Sequence, residues 1–520
     1  MEQTVKYGIG EQDFKSLRER DCIYIDKTKY IDTIITSGSK YYFLARPRRF
    51  GKSLFLSTLQ YFFEGRRELF KGLYIESSGW DWQPYPVLRL DLNRERYAEK
   101  GLLNSILDNI FNHWETKYGV TLKASDLSSR FGNIIKTAHE KTGSQVVILV
   151  DEYDKPLVGN LNKNDKFEHY RERLSSLYSN FKSSAEHIRL VFLTGVSRFG
   201  KLSVFSDLNN LKDITFSNEF ADICGITERE LITQLNDGVR KFAHANNTSV
   251  DEALAALKRN YDGYRFTEEG SDIYNPWSLL SCLDESKAGN YWNNTGLPTI
   301  IREALQRVDA NLEEALDVYC SADDLKGMDL LNPNPTALMY QTGYLTIKDY
   351  LKETQEYLLG IPNNEVKKGF FSYLLPCYVN CKGATPNKVV ADIIRGFIQG
   401  RPGAAMTAMQ TYFAGITYKL KMDNENNFHN AFFLLTDLIG LNALTEVSTS
   451  DGSIDILIQT PRYIYIIELK YDHSAEDALR QIDEKNYARP YRTDSRKLFK
   501  IGVNFSSKSR CIENWRIVEN

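Results

Sequence analysis

The stretch VVILVDE, residues 146–152, is the most informative segment for the fold, because five apolar residues run directly into two acids. A continuous apolar run of this length is typical of a strand that is buried on both faces of a sheet. RLVFL at 189–193 is a second run of this kind, and KYYFLA at 40–45 and PVLRLDL at 86–92 also read as strands. Helical periodicity between these segments predicts an α/β fold built on a parallel sheet.

A candidate phosphate-binding loop follows the first predicted strand. Residues 46–53 read RPRRFGKS, which matches the pattern G-x-x-x-x-G-K-(S/T) except that Arg46 replaces its first glycine. The backbone N–H groups of such a loop hold phosphates, its lysine reaches the β- and γ-phosphates, and its hydroxyl binds Mg²⁺. The three arginines of the segment either clamp phosphate or form an exposed basic turn. The residues predicted to bind ATP here are Arg49, Phe50, Gly51, Lys52, Ser53 and Leu54.

A second segment, GVSRFGKL at 195–202, competes for this role. It has both glycines and Lys201, but Leu202 occupies the position of the metal-binding hydroxyl, so each segment departs from the pattern at one position. The order along the chain favours the first segment, because the acidic end of the 146–152 strand lies downstream of Lys52 and upstream of Lys201. A phosphate loop, one further strand and then an acidic strand is the arrangement of the additional-strand class of P-loop ATPases.

The two acids of the VVILVDE segment complete the predicted ATPase site. Asp151 and Ser53 are expected to hold Mg²⁺, and Glu152 is the predicted catalytic residue because an acid at this position polarises the attacking water. The following strand ends near Thr194 and Ser197, either of which could sense the γ-phosphate, and we assign Thr194 to the ATP site. Capping of a turn is the alternative for both side chains.

The C-terminal region contains a second group of charged residues, on a predicted hairpin. Residues 452–471 read GSIDILIQTPRYIYIIELKY, two strands of alternating character around the dipeptide 461–462, Pro-Arg. With an even-numbered loop centred on that dipeptide, Asp455 faces Glu468 across the ladder and Lys470 lies two residues further on the same face. A loop of odd length would destroy this register, and the proline favours a loop of four residues over one of two.

Facing carboxylates repel one another, so a divalent cation is the expected compensation. Two acids and a lysine on one face are the groups that metal-dependent phosphodiester cleavage requires, the acids to hold Mg²⁺ and the lysine to orient or activate water. We predict Asp455 and Glu468 as metal ligands, and both together with Lys470 as catalytic residues. A cross-strand salt bridge is the alternative for Glu468 and Lys470. Glu425, at the start of a helical run upstream, is a candidate for a further carboxylate.

Basic residues are abundant after the hairpin. Between Lys485 and Arg516, nine Lys or Arg residues stand against two acids and are interleaved with aromatic residues. Such a stretch predicts a surface that follows a phosphate backbone, so the expected partner of this region is a nucleic acid, DNA in the first instance. An ordinary solvated face with aromatic residues in the core is the alternative. The aromatic residues concerned are Tyr487, Tyr491, Phe499, Phe505 and Trp515.

The composition fits a soluble protein of several domains. The 520 residues are 42% hydrophobic and carry a net charge of −3, which excludes a globally basic nucleic-acid coat. No apolar run approaches the ~18 residues of a membrane span, the first residues contain no secretion signal, and the cysteines are scattered. We therefore expect a cytoplasmic protein without a membrane partner. The sequence pattern divides into a P-loop region at 1–270, a mostly helical region at 271–385 and a separate α/β module at 386–520.

Taken together, these motifs resemble the bacterial and archaeal AAA-ATPase-like proteins that carry a C-terminal PD-(D/E)XK nuclease-like domain. The resemblance implies ATP binding in the N-terminal half and a restriction-endonuclease-like core at the C-terminal end. Arginine is also common at the first loop position in that family, so Arg46 is compatible with a working site, whereas Ser453 replaces a frequent arginine and puts a substrate contact in doubt. The segments that carry the resemblance are YIDKT at 24–28, RPRRFGKS at 46–53, VDEYDKP at 150–156, TGVSRFGK at 194–201, YDGYRF at 261–266, YNPWSLL at 274–280, IPNNEV at 361–366, and D-x₁₂-E-x-K at Asp455, Glu468 and Lys470, followed by Gln481, Ile482 and Tyr487.

The predicted function is ATP-regulated, metal-dependent cleavage of nucleic acid, with ATP and Mg²⁺ as cofactors. Defence against foreign DNA and processing of mobile elements are contexts that rest on analogy alone. One alternative is a nucleotide-switched module whose C-terminal domain binds nucleic acid or protein without cutting it, and another is an ATPase with a structural C-terminal domain. A homo-oligomer is left open, and Arg198 is the candidate for an arginine finger.

Overall fold

The chain divides into two compact units in the computed structural model. The first unit contains the described residues of 1–295 and 316–367, and the second contains those of 296–315 and 368–520. The three-region division made from the sequence stays a prediction. No helix among the described residues is long and apolar enough to cross a membrane. The residues that the structure describes are 5–93, 97, 101–122, 124, 126–158, 160, 164–197, 210–292, 301, 316, 318–326, 334–378, 385–415, 434–435, 437–439, 444–449, 452–506, 508 and 511–519.

The first unit contains the parallel sheet that the sequence predicts. Its strands are β1 (Tyr41–Ala45), β2 (Val87–Asp91), β3 (Val146–Asp151), β4 (Ile188–Gly195) and the short β5 (Lys212–Asp213). They lie in the order β2-β3-β4-β1-β5, and every neighbouring pair is parallel. Every residue of β3 is buried, as its uninterrupted apolar run requires. Because β4 is inserted between β1 and β3, the predicted additional-strand order is confirmed.

Helices cover this sheet. They are α1 (Phe14–Glu19), α2 (Lys29–Thr36), α3 (Lys52–Phe63), α4 (Leu102–Tyr118), α5 (Leu127–Thr142), α6 (Lys155–Val158), α7 (Asn164–Tyr178) and α8 (Asn180–Ser183), with 3₁₀ turns at Arg67–Phe70, Tyr74–Ser77 and Asn218–Phe220. The helix that matters most for the site is α3, which packs against β2, β3 and β4. It starts directly after the glycine of the candidate phosphate loop.

A helical subdomain follows the sheet within the first unit. It contains α9 (Glu228–Gln234), α10 (Asn236–Ala245), α11 (Val250–Tyr261) and α12 (Pro276–Glu285), together with the paired short strands β6 (Ile226–Thr227) and β7 (Ile273–Tyr274). Capping boxes at Thr227 and Ser249 start α9 and α11, and Asn275 caps α12 ahead of its proline. The apolar faces of these helices form one buried cluster around Phe242 and Leu279.

The middle of the sequence contains the predicted helices and also a sheet that was not predicted. The helices are α13 (Ala322–Lys326), α14 (Pro335–Thr342) and α15 (Asn364–Tyr378), and the strands are β8 (Val318–Ser321), β9 (Thr346–Leu351) and β10 (Glu356–Gly360). The strands pair antiparallel in the order β8-β10-β9. Charged and polar residues dominate the turn between β9 and β10, which hides the strand pattern in the sequence.

The second unit is built on a mixed five-stranded sheet. Its strands are β11 (Leu444–Thr449), β12 (Gly452–Gln459), β13 (Tyr463–Tyr471), β14 (Lys497–Ser506) and β15 (Cys511–Glu519), and its helices are α16 (Pro386–Ile398), α17 (Pro402–Ala414) and α18 (Ala475–Glu484), with a 3₁₀ turn at Arg489–Tyr491. The strands follow one another in chain order, antiparallel except for the parallel pair β13–β14. From residue 386 onward the sequence pattern predicted two helical stretches, a strand pair, a helix and one final strand. The edge strands β11 and β15 were missed, because edge strands expose many polar residues.

Candidate nucleotide-binding and nuclease sites

The carboxyl ends of β1, β3 and β4 bring the predicted ATPase residues to one edge of the parallel sheet. Ala45 at the end of β1 pairs with Gly195 of β4, and Val150 of β3 pairs with Leu193 of β4. Parallel strands present their carboxyl ends at the same edge, where ligands of open α/β sheets bind. The candidate phosphate loop, residues 46–53, therefore lies beside the polar residues that follow β3 and end β4.

Lys52 is buried at the start of α3. Its ammonium group donates to the backbone carbonyls of Arg46 at 2.9 Å and Pro47 at 3.0 Å. Burial lowers the pKa of Lys52, and the carboxylates of Glu152 and Asp151 oppose this shift. The lysine is therefore held across its own loop by neutral acceptors and lies close to both predicted acids. Phosphate oxygens, which carry full charge, would bind this ammonium group more strongly than the carbonyls do.

The start of α3 fits an anionic ligand. Gly51 precedes the helix with a φ of 92°, a conformation that glycine adopts without strain. Within the described part of the chain no side chain caps this helix, so the N–H groups of its first turn face outward as donors. Ser53 in that turn is partly exposed. Its hydroxyl and the Asp151 carboxylate are hard oxygen ligands of the kind that Mg²⁺ prefers.

Arg46 is a structural anchor, and both roles expected for it are wrong. The residue is 1% exposed, and its guanidinium group donates to the carbonyls of Ala45 at 3.0 Å, Thr215 at 2.8 Å and Phe220 at 3.2 Å. It also lies 4.3 Å from the ring centroid of Phe266, and burial lowers its pKa. This arginine neither clamps phosphate nor belongs to an exposed turn. It fixes the start of the loop by satisfying buried backbone acceptors.

Restoring the standard glycine at the first loop position should therefore damage the protein. Arg46→Gly leaves these carbonyls buried without donors, and we expect the free energy of unfolding to fall by at least about 3 kcal/mol. Arg48→Gly makes the same backbone change two residues away at a partly exposed position. Urea unfolding of both variants measures the difference. Equal stability of the two variants would contradict the anchoring role.

Two further side chains hold the loop from the outside. The ring of Phe50 packs edge-on against Tyr264 at 4.8 Å and Phe266 at 5.3 Å. Arg49 lies 4.1 Å from the ring centroid of Trp277. The family motifs YDGYRF and YNPWSLL thus contribute the aromatic residues that receive the loop. The side chains of Arg49 and Phe50 are both engaged in packing. These two residues would therefore contact phosphate through their backbone N–H groups.

Asp151 and Glu152 differ in their surroundings. Asp151 is 2% exposed, accepts a hydrogen bond from the Thr194 hydroxyl at 2.8 Å and lies 3.7 Å from the Arg89 guanidinium. Glu152 has a φ of 48°, a strained conformation for a residue with a side chain, and its carboxylate is 3.6 Å from Lys155. Observed strain of this kind is frequent at functional sites. The structure brings Thr194 to Asp151 rather than to a turn, and its role as a γ-phosphate sensor stays a prediction.

Asp154 belongs to this group and was not identified from the sequence. Its Oδ2 accepts hydrogen bonds from the backbone N–H groups of Val196 at 3.1 Å and Ser197 at 2.6 Å. Burial raises the pKa of Asp154 to about 6, the hydrogen bond from Ser197 opposes the rise, and the charge of Glu152 adds to it. Tyr153 donates to the carbonyl of Ser197 at 3.0 Å. The DEYD segment therefore also fixes the loop after β4. The sequence feature that could have indicated this role is the third acidic residue of the segment, Asp154.

The raised pKa of Asp154 predicts a specific pH dependence of stability. The folded protein keeps this proton up to about pH 6, whereas an unfolded aspartate loses it near pH ~4. Wild type therefore loses stability relative to Asp154→Asn as the pH rises through this window, by up to about 3 kcal/mol. Urea unfolding of both proteins at pH 4.5, 5.5 and 7.5 measures the change. A difference between the two proteins that stays constant with pH would argue against it.

Several residues named in the sequence analysis lie outside the described residues. They are Arg198, Lys201 and Leu202 of the competing GVSRFGKL segment, and Glu425 upstream of the hairpin. The choice of Lys52 over Lys201 as the lysine of the phosphate loop therefore stays a prediction from the sequence. The same holds for Arg198 as the arginine finger.

The predicted register of the C-terminal hairpin is confirmed. Ile456 pairs with Ile467, and the ladder between the two strands ends at Gln459 and Ile464. Four residues, 460–463, lie between the last paired residues of β12 and β13, which is the length that the proline was expected to favour, and the last of them, Tyr463, already pairs with β14. Asp455 precedes Ile456 and Glu468 follows Ile467. The register therefore places the two acids opposite one another.

One acid from β12, the acid and the lysine from β13 and a glutamine from α18 meet on one face of the sheet. Glu468 is 1% exposed, lies 3.5 Å from the Lys470 ammonium and accepts a hydrogen bond from the Gln481 amide. Lys470 in turn donates to the oxygen of Gln481, so the glutamine bridges the pair. Asp455 accepts a hydrogen bond from the backbone N–H of Leu469 at 2.7 Å. The salt bridge given as the alternative is present here, and it lies within a larger polar group.

This face has the donor atoms for a divalent cation. The second oxygen of Glu468, Oε2, is buried and has no hydrogen-bond partner among the described residues. Burial first and the charge of Asp455 second raise the pKa of Glu468 to about 7, and Lys470 opposes the rise. An uncompensated oxygen beside a second carboxylate suits Mg²⁺, which typically takes one or two carboxylates together with water and phosphate oxygens. No three His, Cys, Asp or Glu side chains in the described ranges form a ready-made metal cluster.

Helix α18 reaches this face because β14 carries a glycine at the crossing point. Gly502 pairs with Glu468 in the parallel ladder. A Cβ atom at Gly502 would overlap the carbonyl oxygen of Ala475 and press on Leu479, both in α18. The missing side chain lets the helix lie close to the strand and sets Gln481 over Glu468. Gln481 belongs to the motif that carries the family resemblance, whereas no pattern in the sequence marks Gly502.

Part of the basic stretch after the hairpin forms ion pairs, and part of its aromatic set lies in the core. Tyr487, Phe499 and Phe505 are buried, so the core alternative holds for these three aromatic residues. A nucleic-acid partner for this region stays a prediction. Four of the basic residues form ion pairs: Arg496 with Asp494, Lys497 with Glu519, Lys500 with Asp483, and Arg516 with Glu476.

Comparison with known proteins identifies two matching families and a full-length relative. Residues 7–205 match the family described as Predicted AAA-ATPase, and residues 423–515 match the PD-(D/E)XK nuclease superfamily. The chain is also 33% identical over 519 residues to the "Uncharacterized protein in vnfD 5'region" of Azotobacter chroococcum mcd 1, with 98% of each chain covered. The two family matches contain the candidate phosphate loop and the β12–β13 hairpin, respectively.

Proposed function

Because the chain belongs to the family of predicted AAA-ATPases with a C-terminal PD-(D/E)XK nuclease superfamily domain, we propose that it hydrolyses ATP and cleaves nucleic acid in a metal-dependent reaction. The observation that carries the proposal is the meeting of the buried Glu468 with the partly exposed Asp455 and Lys470 on one face of the β12–β13 hairpin. DNA is the expected substrate and the cytoplasm the expected compartment.

In the N-terminal unit, the chain's own groups bind and orient the nucleotide. Lys52 and the N–H groups of the first turn of α3 hold the phosphates, and Asp151 with Ser53 supplies oxygen ligands for Mg²⁺. Glu152 positions and polarises the attacking water. Thr194, hydrogen-bonded to Asp151, links that carboxylate to the next strand. Bound Mg²⁺ supplies charge stabilisation for the phosphate oxygens.

In the C-terminal unit, the polar side chains on the face of the β12–β13 hairpin position the reacting phosphodiester and the attacking water. Asp455 and Glu468 supply the carboxylate oxygens for the divalent cation. Lys470 orients the attacking water, and Gln481 keeps the lysine beside Glu468 through hydrogen bonds to both. The match of this arrangement to phosphodiester cleavage supports a nuclease over a domain that only binds.

The test is a cleavage assay on the full-length chain with labelled single- and double-stranded DNA, in Mg²⁺ or Mn²⁺, with and without ATP. Wild type is compared with Lys470→Ala. Cutting that the variant loses supports the nuclease, and its dependence on ATP measures the regulation. DNA binding without cutting under every condition would favour the nucleotide-switched binding module instead. An absence of both would leave only the ATPase.

A further inference from the structure

The strands of the β12–β13 hairpin separate at the candidate nuclease site and leave a fork between residues 452–455 and residues 468–471. At this end, the ladder between the two strands stops at the pair Ile456 and Ile467. Along the fork, β12 stays paired with β11, and β13 stays paired with β14. Within the fork, the Asp455 carboxylate accepts a hydrogen bond from a backbone N–H of β13 at 2.7 Å, so a side chain takes the place of a backbone partner. The candidate metal ligands therefore lie at an opening of the sheet.

An exposed tyrosine stands at the open end of the fork. Tyr471 is the last residue of β13 and follows Lys470 directly. It is 54% exposed, which is the largest exposed fraction among the large hydrophobic side chains that the structure describes in the second unit. Burial first and the charge of Asp455 second raise the pKa of Tyr471, so its phenol lies within electrostatic reach of a candidate metal ligand. The ring therefore borders the fork and is open to solvent.

The covered part of this ring packs on buried aromatic residues. The ring of Phe505, which pairs with Tyr471 in the ladder, lies 5.5 Å from it at an interplanar angle of 60°. Phe505 is 4% exposed and packs edge-on against Phe413 of α17, also at 5.5 Å. Because the tyrosine ring already rests on this support, it loses little conformational freedom when a second ring stacks on it. A fixed aromatic ring with one side in solvent is the kind of surface on which nucleobases stack.

The position of Tyr471 relative to Lys470 suits a nucleotide that follows the reacting phosphate. The Cα atoms of the two residues are about 3.8 Å apart, because the residues are neighbours in the chain. Their side chains leave the strand on opposite faces. A phosphodiester at the lysine face therefore lies beside the end of β13, and a base that turns across this end reaches the tyrosine ring.

We propose that Tyr471 stacks on an unpaired nucleobase beside the scissile phosphate, and that the chain therefore prefers single-stranded over double-stranded nucleic acid. The inference rests on the proposed nuclease, whose substrate class it narrows. In a duplex the neighbouring base pairs cover the faces of each base, whereas an unpaired base turns outward and stacks on an aromatic side chain. One base stacked in this way strengthens binding roughly 5- to 150-fold. A tyrosine that only covers Phe505 would give no response to the presence of a base.

The test removes one base and keeps every phosphate. The full-length chain cuts an end-labelled single strand of DNA in Mg²⁺, with or without one abasic nucleotide, and the product lengths give the rate at each phosphate. Wild type should cut the phosphates that flank the abasic nucleotide at least about fivefold more slowly than the same phosphates in the intact strand. Tyr471→Leu, which still covers Phe505 but has no aromatic ring, should cut both strands at one reduced rate, whereas Tyr471→Trp should keep the difference. Tyr373→Leu, at an exposed tyrosine on α15 in the same unit, is the matched control and should behave like wild type.

The preference for single strands is measured by annealing the same labelled strand to its complement. Wild type should cut the single strand at least about fivefold faster than the duplex, and Tyr471→Leu should lose most of this preference. Equal cutting of the intact and abasic strands by wild type, or a base dependence that Tyr471→Leu retains, would overturn the stacking role and leave the nuclease standing. An equal loss by Tyr471→Leu on single strand and duplex would make the tyrosine structural and would also overturn it. A wild type that cuts no substrate would overturn the nuclease itself, and the stacking role with it.

Discussion

Replacing Lys52 with alanine should abolish ATP binding and turnover, with a loss of roughly 10²- to 10³-fold in the rate of hydrolysis. The ammonium group is buried, bound to neutral carbonyls of its own loop and close to Asp151, which would hold the cation, and to Glu152. Alanine removes the positive charge and keeps a strong helix former at the first position of α3. Calorimetry with ATP and phosphate release measure the two effects.

Two comparisons make this prediction specific. Lys136→Ala removes an exposed lysine from α5 in the same unit and should change neither affinity nor turnover. Lys201→Ala, in the competing segment, should have a much milder effect than Lys52→Ala. The reverse ranking would show that GVSRFGKL is the phosphate loop, and unchanged ATP affinity in Lys52→Ala would count against the site described here.

Glu468→Gln should reduce cleavage of nucleic acid by at least about 100-fold, because losing a residue that only orients a metal ligand costs roughly 10- to 100-fold and Glu468 is a proposed ligand itself. Glutamine keeps the shape of the side chain and an oxygen for the hydrogen bond from Gln481. It removes the charge that a divalent cation needs at the buried Oε2. Since the ionised carboxylate is costly to bury, the variant should be at least as stable as wild type above pH 7.

The control for this variant is Glu484→Gln, an exposed position on α18 in the same unit. Its cleavage rate and its calorimetric affinity for Mn²⁺ should equal those of wild type. Glu468→Gln should lose the metal-binding heat while it still binds DNA in a gel-shift assay. Cleavage at the wild-type rate by Glu468→Gln would remove Glu468 from the metal site.

Sequence reasoning worked where a repeated pattern reflects burial. The run VVILV predicted β3 because a strand covered on both faces leaves no position for a polar side chain. The hairpin register followed from the period of two along a strand and from the turn preference of Pro461, which are both local properties. The facing of Asp455 and Glu468 could thus be derived without a structure.

Properties that depend on contacts between distant residues could not be derived. The anchoring of Arg46 requires carbonyls at 215 and 220, and no local pattern connects these positions to the loop. Gly502 matters because it has no side chain that would collide with α18. In the sequence, a glycine within a strand indicates only a residue of low strand preference. The edge strand β15 was missed because its exposed residues show no clear apolar stripe, so one final strand was predicted where the sheet has two.

Arg46 holds the phosphate loop through neutral groups, which matters for the protein's response to ionic strength. Dissolved ions screen the attraction between full charges at the surface but barely reach a buried hydrogen bond to a carbonyl dipole. The loop attracts a polyanionic nucleotide through charge, which salt screens. The bonds that shape the loop are buried hydrogen bonds to carbonyl groups, which salt hardly affects. Concentrated salt should therefore release the nucleotide from a loop that keeps its form, so that dilution alone restores binding.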